Sequence, residues 1–369
     1  MKVKNNYNEC LTNLACSIRK YFGLDYEHNT LTYIDKILEK DKPNNVVLML
    51  FDGMGSNILK RNLPEDAFFI KNDYKDITTV FPATTTAATT SIRTGLNPIE
   101  HGWLGWNMYI KPIDKTVTLF MNSEKGKKEV CNGFLDVKYK LVSKTIADEI
   151  NECGKFSAME LFPFPTGNAV VYKDLDEMLN IILTETEKKE KKFIYTYDTE
   201  PDHTMHGFGP DSEESRNLIL ERNNKVEALC KKLKNTLVII VADHGHMKVE
   251  HIFLEEYPEI INMLERTTSL EQRAVSFKVK KECLNEFPIK FNELFGKWFD
   301  LYDRQDIIDS KLFGDGKVNE LFYDALGDFI AIANDSQKCI ITEGDDVLHS
   351  QHAGYSDDEV YVPVILIKK

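Results

Sequence analysis

Residues 46–55 read VVLMLFDGMG: six apolar residues in a row, an aspartate, then two glycines around a methionine. An apolar run without alternation is what a strand buried on both faces needs, as in a mostly parallel sheet covered by helices. Four further apolar-rich runs punctuate the chain: FSAMELF (156–162), KFIYTY (192–197), TLVIIVA (236–242) and YVPVILI (361–367). Helical patterns fill the intervals at 56–62, 84–93, 141–153, 174–187 and 212–234. Alternating strands and helices predict an α/β protein with a three-layer, doubly wound, mostly parallel sheet.

Outward from that frame, residues 1–45 read as a helical segment packing on the core. Leu11, Leu14, Ala15, Ile18 and Phe22 recur at helical spacing there. The core is expected to span 46–262 and 343–369. Between them, 263–342 changes character: two strands at 274–280 and 298–302 around a helix at 283–295, then two more at 327–332 and 338–342. We read this as a small inserted α+β, cap-like subdomain.

The 369 residues are 42% hydrophobic and 28% charged, with a net charge of −13. That balance carries no nucleic-acid footprint, which would be a basic patch. No stretch is apolar and long enough to span a bilayer. The seven cysteines are odd in number and form no C-x-x-C pair. A disulfide framework is therefore not expected, and a reducing, cytoplasmic setting is. The opening residues also lack the apolar run and cleavage site of a signal peptide.

Chemistry concentrates at the ends of the predicted strands. VVLMLF ends in Asp52, TLVIIVA in Asp243–His244, and KFIYTY is soon followed by Asp202 and His206. Seven of the nine histidines fall after residue 200, in three short windows that include His352. In open α/β sheets ligands bind beyond the carboxyl ends of the strands, so these residues should converge. Three crowded carboxylates need positive charge or must protonate. Together with three imidazoles they suit zinc or a similar divalent metal, and they outnumber the ligands of one tetrahedral ion. Two metals sharing them is the economical reading, and a two-metal clamp serves phosphoryl transfer. A single such aspartate, taken alone, reads as a turn or cap residue.

One segment stands apart. VFPATTTAATTSIRTG (80–95) holds six threonines among the eleven residues from Thr84 to Thr94. The surplus hydroxyls read either as a helix cap bonded to nearby backbone or as surroundings of a nucleophile.

The ordered motifs FDGMG, FPATTT…TGLNPIEHG, EPDHTMHGFGP, ADHGH and QHAGY resemble the alkaline phosphatase superfamily, in particular its type I phosphodiesterase/nucleotide pyrophosphatase branch. The resemblance covers roughly 46–250 and 343–369. It implies hydrolysis of phosphate diesters or pyrophosphate bonds through a threonine nucleophile, a phospho-threonine intermediate and two divalent ions, expected to be Zn²⁺. Carried over by motif, one ion takes Asp202, His206 and His352; the other takes Asp52, Asp243, His244 and the nucleophile. Counting back from Thr94–Gly95 puts the nucleophile at Thr85, with Thr84 and Thr86 as its neighbours by one residue and candidate substrate contacts. His246, His349 and Tyr355 are read as flanking the ligands.

Two departures accompany the resemblance. Where the branch carries an aromatic residue and an asparagine after the nucleophile, this chain has Thr86 and Ala88. GWLGWNMYI offers Trp103 and Trp106 as a substitute stacking wall, with an ordinary aromatic core as the other reading. The expected partner is a small phosphorylated substrate. The alternatives are a phosphomonoesterase or phosphonate hydrolase on the same scaffold and a non-catalytic metal- or phosphate-binding protein. Arg93, the one arginine near the threonines, should point away from the helix N-terminus, which favours diesters.

Overall fold

In the computed structural model, which describes residues 4–369, the five apolar runs become strands of one seven-stranded sheet. Across it the order is Asp73–Thr78, Tyr361–Lys368, Thr236–Val241, Asn45–Phe51, Lys192–Asp198, Ser157–Phe162 and Val170–Val171. Asn45–Phe51 lies centrally, parallel to both neighbours, and all seven of its residues are buried. Tyr361–Lys368 runs antiparallel to Thr236–Val241 and to Asp73–Thr78. The mixed α/β architecture with a mostly parallel sheet is therefore the one the runs predict.

The N-terminal segment forms a helix, Leu11–Phe22, whose predicted apolar face is buried. Burying side chains such as Leu11, Leu14 and Ile18 stabilises the fold by roughly 1.5–3 kcal/mol each. The helix also reaches the threonine-rich helix Thr85–Thr94: Arg19 Nη1 donates to the Thr94 carbonyl at 2.9 Å and pairs with Glu149. A cation at a helix C-terminus meets its unpaired carbonyls and favours its dipole.

The second sheet is larger than the predicted insert. Its order is Phe299–Asp303, Phe329–Ala333, Ala274–Phe277, Ser269–Leu270, Asn107–Ile110, Lys115–Thr118 and Ser123–Glu124. The last three strands come from residues that the sequence reading assigned to the core. They belong here because Met108, Ile110, Val117 and Leu119 bury against Leu270, Ala274, Ile330 and Ile332 in a core separate from that of the main sheet. Lys338–Ile341, expected within the insert, instead pairs in parallel with Glu250–Phe253.

Candidate active site

The main sheet delivers its carboxylates at one edge. Asp52 follows Asn45–Phe51 directly, and its N–H donates to the Asp198 carbonyl at the end of the adjacent strand, at 2.9 Å. The Asp202 N–H in turn donates to the Asp52 carbonyl at 3.0 Å, which fixes the short helix Asp202–Phe208 to that strand end. Asp202 and His206 are four apart on this helix and share a face, with His206 Nε2 3.4 Å from Asp202 Oδ2. Gly53 has φ +72°, and a Cβ there would lie 2.8 Å from Met205 Cε and 3.0 Å from Asp202 Cβ and His246 Cδ2. Only glycine permits that turn and that closeness together. Its N–H donates to Asp243 Oδ1 at 3.0 Å.

Four imidazoles surround these carboxylates in one orientation. His206 and His352 donate through Nδ1 to the carbonyls of Ser350 and Ala83 at 2.8 and 2.9 Å. His244 Nδ1 donates to the Gly245 carbonyl at 3.0 Å, and His246 Nδ1 to Ser350 Oγ at 2.9 Å, whose own hydroxyl donates to the Met205 carbonyl. Each Nδ1 is thus occupied on the outside. For His206, His244 and His246 the Nε2 faces a carboxylate: His206 and His246 face Asp202, while His244 faces Asp52 and Asp243 at 3.3 and 3.5 Å. Holding one ring nitrogen by a carbonyl or hydroxyl to present the other is how proteins orient metal-binding histidines.

Ligand-capable atoms gather within 4.8 Å of one another in two groups, Asp52–Asp243–His244 and Asp202–His244–His246–His352. The predicted Asp52, Asp243, His244, Asp202 and His352 all appear there, with His206 immediately beside them. His246, read from sequence as a flanking residue, is inside the second group. Asp52 Oδ1 and Asp243 Oδ2 are buried without a hydrogen-bond partner. Burial and the neighbouring carboxylates push the Asp52 carboxyl well above its usual range, and burial raises that of Asp243. Burial would raise Asp202 too, but His206 and His246 outweigh it and hold that carboxyl low. Orphaned carboxylate oxygens facing inward-turned imidazole nitrogens are a donor set that fits divalent cations.

Thr85 opens the helix Thr85–Thr94 and points into this cluster. Its Oγ1 lies 3.4 Å from Asp52 Oδ2 and 3.3 Å from His244 Nε2. The other hydroxyls divide. Thr89, Thr90 and Thr94 donate to carbonyls one turn back in the helix, at 2.6–2.8 Å. Thr84, although at the cap position, does not bond the first turn, and the Thr84 and Thr86 hydroxyls are buried without partners.

The family described as type I phosphodiesterase/nucleotide pyrophosphatase matches residues 46–356. The chain belongs to that family. It is accordingly a phosphodiesterase/nucleotide pyrophosphatase-type hydrolase acting on phosphoester bonds, in a metal-dependent family whose substrates are small and phosphorylated. A search of curated sequences found no match. Among solved structures, the fold is similar to murine and human ectonucleotide pyrophosphatase/phosphodiesterase 5. Each is 18% identical, with a TM-score of 0.64 over 86% of this chain and 87% of that one. An inactive form of the murine protein in complex with AMP matches equally, at 19% identity.

For a phosphodiesterase, the aromatic surroundings matter next. Trp106 stacks on Phe120, with centroids 5.6 Å apart. Phe120 touches Phe164 and Tyr197, and the Tyr197 hydroxyl bonds Asp52 Oδ2. Trp106 thus belongs to an aromatic wall leading to the cluster. Trp103 does not; its Nε1 donates to the Val142 carbonyl and its ring packs on the second core. Arg93 is held by Glu160 through Nε and Nη2 at 3.0 and 2.6 Å, with Phe162 beneath it. Of the residues read as flanking, Tyr355 packs on Phe81, while His349 is exposed and ties its N–H to the His206 carbonyl. Among the described residues no helix is long and apolar enough to cross a membrane.

Proposed function

We propose that this phosphodiesterase cleaves phosphate diesters or pyrophosphate bonds by in-line attack of Thr85, at a site that holds two divalent cations, zinc by its donor set. One cation would be held by Asp52, Asp243 and His244, the other by Asp202, His206 and His352, with His246 Nε2 facing the other oxygen of Asp202. When bound, such ions lower the pKa of a coordinated hydroxyl and offset charge on the transferring phosphoryl group. The observation that carries the reading is the position of Thr85 Oγ1, within 3.4 Å of both Asp52 and His244 at the first turn of a helix.

The chain's own groups then have defined tasks. Asp52 Oδ2, shared with the Tyr197 hydroxyl, orients the Thr85 hydroxyl for attack. Unpaired N–H groups at the helix N-terminus suit a phosphoryl oxygen. The Thr86 hydroxyl, buried without a partner, is an available donor beside them, which supports its taking over the contact that an asparagine at Ala88 would make. Attack forms a phospho-threonine and releases the alcohol or phosphate leaving group; water then regenerates Thr85. Arg93 is committed to Glu160, so a monoester's additional charge gains nothing from it, and diesters are favoured. The AMP bound to the inactive murine protein supports nucleotide-type esters among the substrates.

Zinc-loaded protein should hydrolyse bis(p-nitrophenyl) phosphate faster than p-nitrophenyl phosphate, and Thr85→Ala should abolish both. A faster monoester would reassign the substrate class. Turnover that survives Thr85→Ala would remove the threonine from its role.

A further inference from the structure

The turn between Ser269–Leu270 and Ala274–Phe277 belongs to the second sheet, yet its Glu271 lies against Thr84 and Trp106. Glu271 Oε1 accepts the Trp106 N–H at 2.6 Å. The same carboxyl lies beside the Thr84 hydroxyl, one residue before Thr85, and close enough to His206 for their charges to interact. It is only partly buried as a residue, whereas Asp52 and Asp243 lie deeper.

Its placement is held from three directions. Leu270 adopts φ +70°, a left-handed conformation that costs a branched residue about 1–3 kcal/mol and persists only where the surroundings over-determine it. Gly105 makes room for it: a Cβ there would stand 2.9 Å from Leu270 Cα. Two residues after Glu271, Arg273 is wholly buried and clamps Glu359 through Nε and Nη2 at 2.6 and 2.8 Å. Glu359 also accepts the Gly354 N–H, two residues past His352. The turn and the His352 loop are therefore one unit.

We propose that Glu271 is a specificity-determining residue of this site, accepting a hydrogen bond from a hydroxyl or ammonium group on the organic portion of the phosphate ester. The inference rests on the Thr85-centred reading above. An ionised carboxylate offers about four acceptor positions, and among the described residues the Trp106 N–H is the one backbone donor that takes any of them. Burial pushes this carboxyl up to about 7, and the Thr84 and Trp106 groups only partly oppose that shift. A donor on the substrate would supply the missing compensation. An ester without one leaves the carboxylate under-bonded, the situation in which a polar site rejects an isostere.

The test uses the full zinc-loaded chain and four p-nitrophenyl phosphodiesters whose second group is ethyl, 2-hydroxyethyl, 2-aminoethyl or choline. The readout is the ratio of kcat/KM for each ester to that of the ethyl ester. Wild type should prefer a donor-bearing ester by about tenfold or more, and Glu271→Ala should bring the ratio within about threefold of unity. Glu271→Gln separates the donors: a hydroxyl preference survives the amide, and an ammonium preference falls. It also supplies the ratio should the alanine variant not fold. Ratios near unity in wild type, or unchanged in both variants, overturn the proposal. A lower Tm with all four esters slowed equally would leave Glu271 a purely structural anchor for Trp106. A choline ester as favoured as the aminoethyl ester would overturn the hydrogen bond, since choline has charge without a donor. Absence of any turnover by wild type, or turnover by Thr85→Ala, would sink the reading of the site itself.

Discussion

Two buried clusters of charge lie within this fold, and they are built on opposite principles. Around Arg273 and Glu359, every charge meets a partner: Glu359 accepts from Arg273, from the N–H groups of Gly354 and Ser356 and from the Ser356 hydroxyl, while Arg273 Nη1 reaches two carbonyls. Burial alone would raise the Glu359 carboxyl, yet Arg273 and these donors hold it below the usual range. Around Asp52 and Asp243 the carboxylates face one another and the His244 imidazole, two oxygens stay unbonded, and both carboxyls are pushed up. A buried charge that is satisfied internally fastens structure. One left wanting marks where the fold expects something positive from outside.

The sharpest way to separate the clusters is by function. Thr85→Ala should cut diester turnover by about 10³-fold or more while leaving the urea midpoint near that of wild type; a matching loss of stability would make Thr85 structural. In the fastening cluster the loss should be reversed in kind. Arg273→Met leaves Glu359 buried and alone, and should cost about 3–5 kcal/mol in equilibrium unfolding. Adding Glu359→Leu should restore most of it. If the single variant is mild, the cluster is not the fastening it is described as.

The wanting cluster should respond to metal. Zinc at about a hundredfold over its Kd should stabilise wild type by about 2.7 kcal/mol, read as a rise in Tm that EDTA reverses. Asp52→Asn should blunt that rise and, without metal, leave the protein no less stable, because a buried repulsive charge has gone. An equal zinc shift in both proteins would break the comparison.

The smallest effect near neutral pH concerns the wholly buried His101. The Trp103 N–H donates to its Nδ1, so Nε2–H donates to Ser91 Oγ. Burial pushes its pKa down to about 3. The unfolded chain binds a proton near pH 6.5 that the folded state refuses, so stability is full above that pH and declines as pH falls towards 3. The slope is up to about 1.4 kcal/mol per pH unit. His101→Asn should flatten the fall in Tm below pH 6; an unchanged slope would show that other groups govern it.

Legibility in the sequence followed the range of the interactions. The buried strands and the aspartates after them were readable because burial on both faces writes a continuous local run, and a strand end is a local event. The direction of Tyr361–Lys368 was not, since an apolar run reads alike in parallel and antiparallel pairing. Asn107–Ile110 was missed as part of the second sheet because its partner, Leu270, lies far along the chain and its strands are short. Asp202–Phe208 is too brief, at seven residues, to show a helical period. His246 and Glu271 owe their places to Ser350 and to a strained turn, and no spacing rule signals either. Tyr197 left a faint trace: it is the last aromatic of IYTYD, beside the strand end that carries the site.

The strand Tyr361–Lys368 has a consequence in time. It inserts between Asp73–Thr78 and Thr236–Val241, and the His352 loop immediately precedes it. A ribosome adds about 5–20 residues per second, so all three aspartates emerge well before the last imidazole and the strand that closes the sheet. Until then the nascent chain offers acidic groups without the frame that orients them. Chains arrested before residue 350 should fail to retain zinc that released chains keep. On the two-cation reading, metal loading is in this way deferred until the His352 loop and the strand after it have been made.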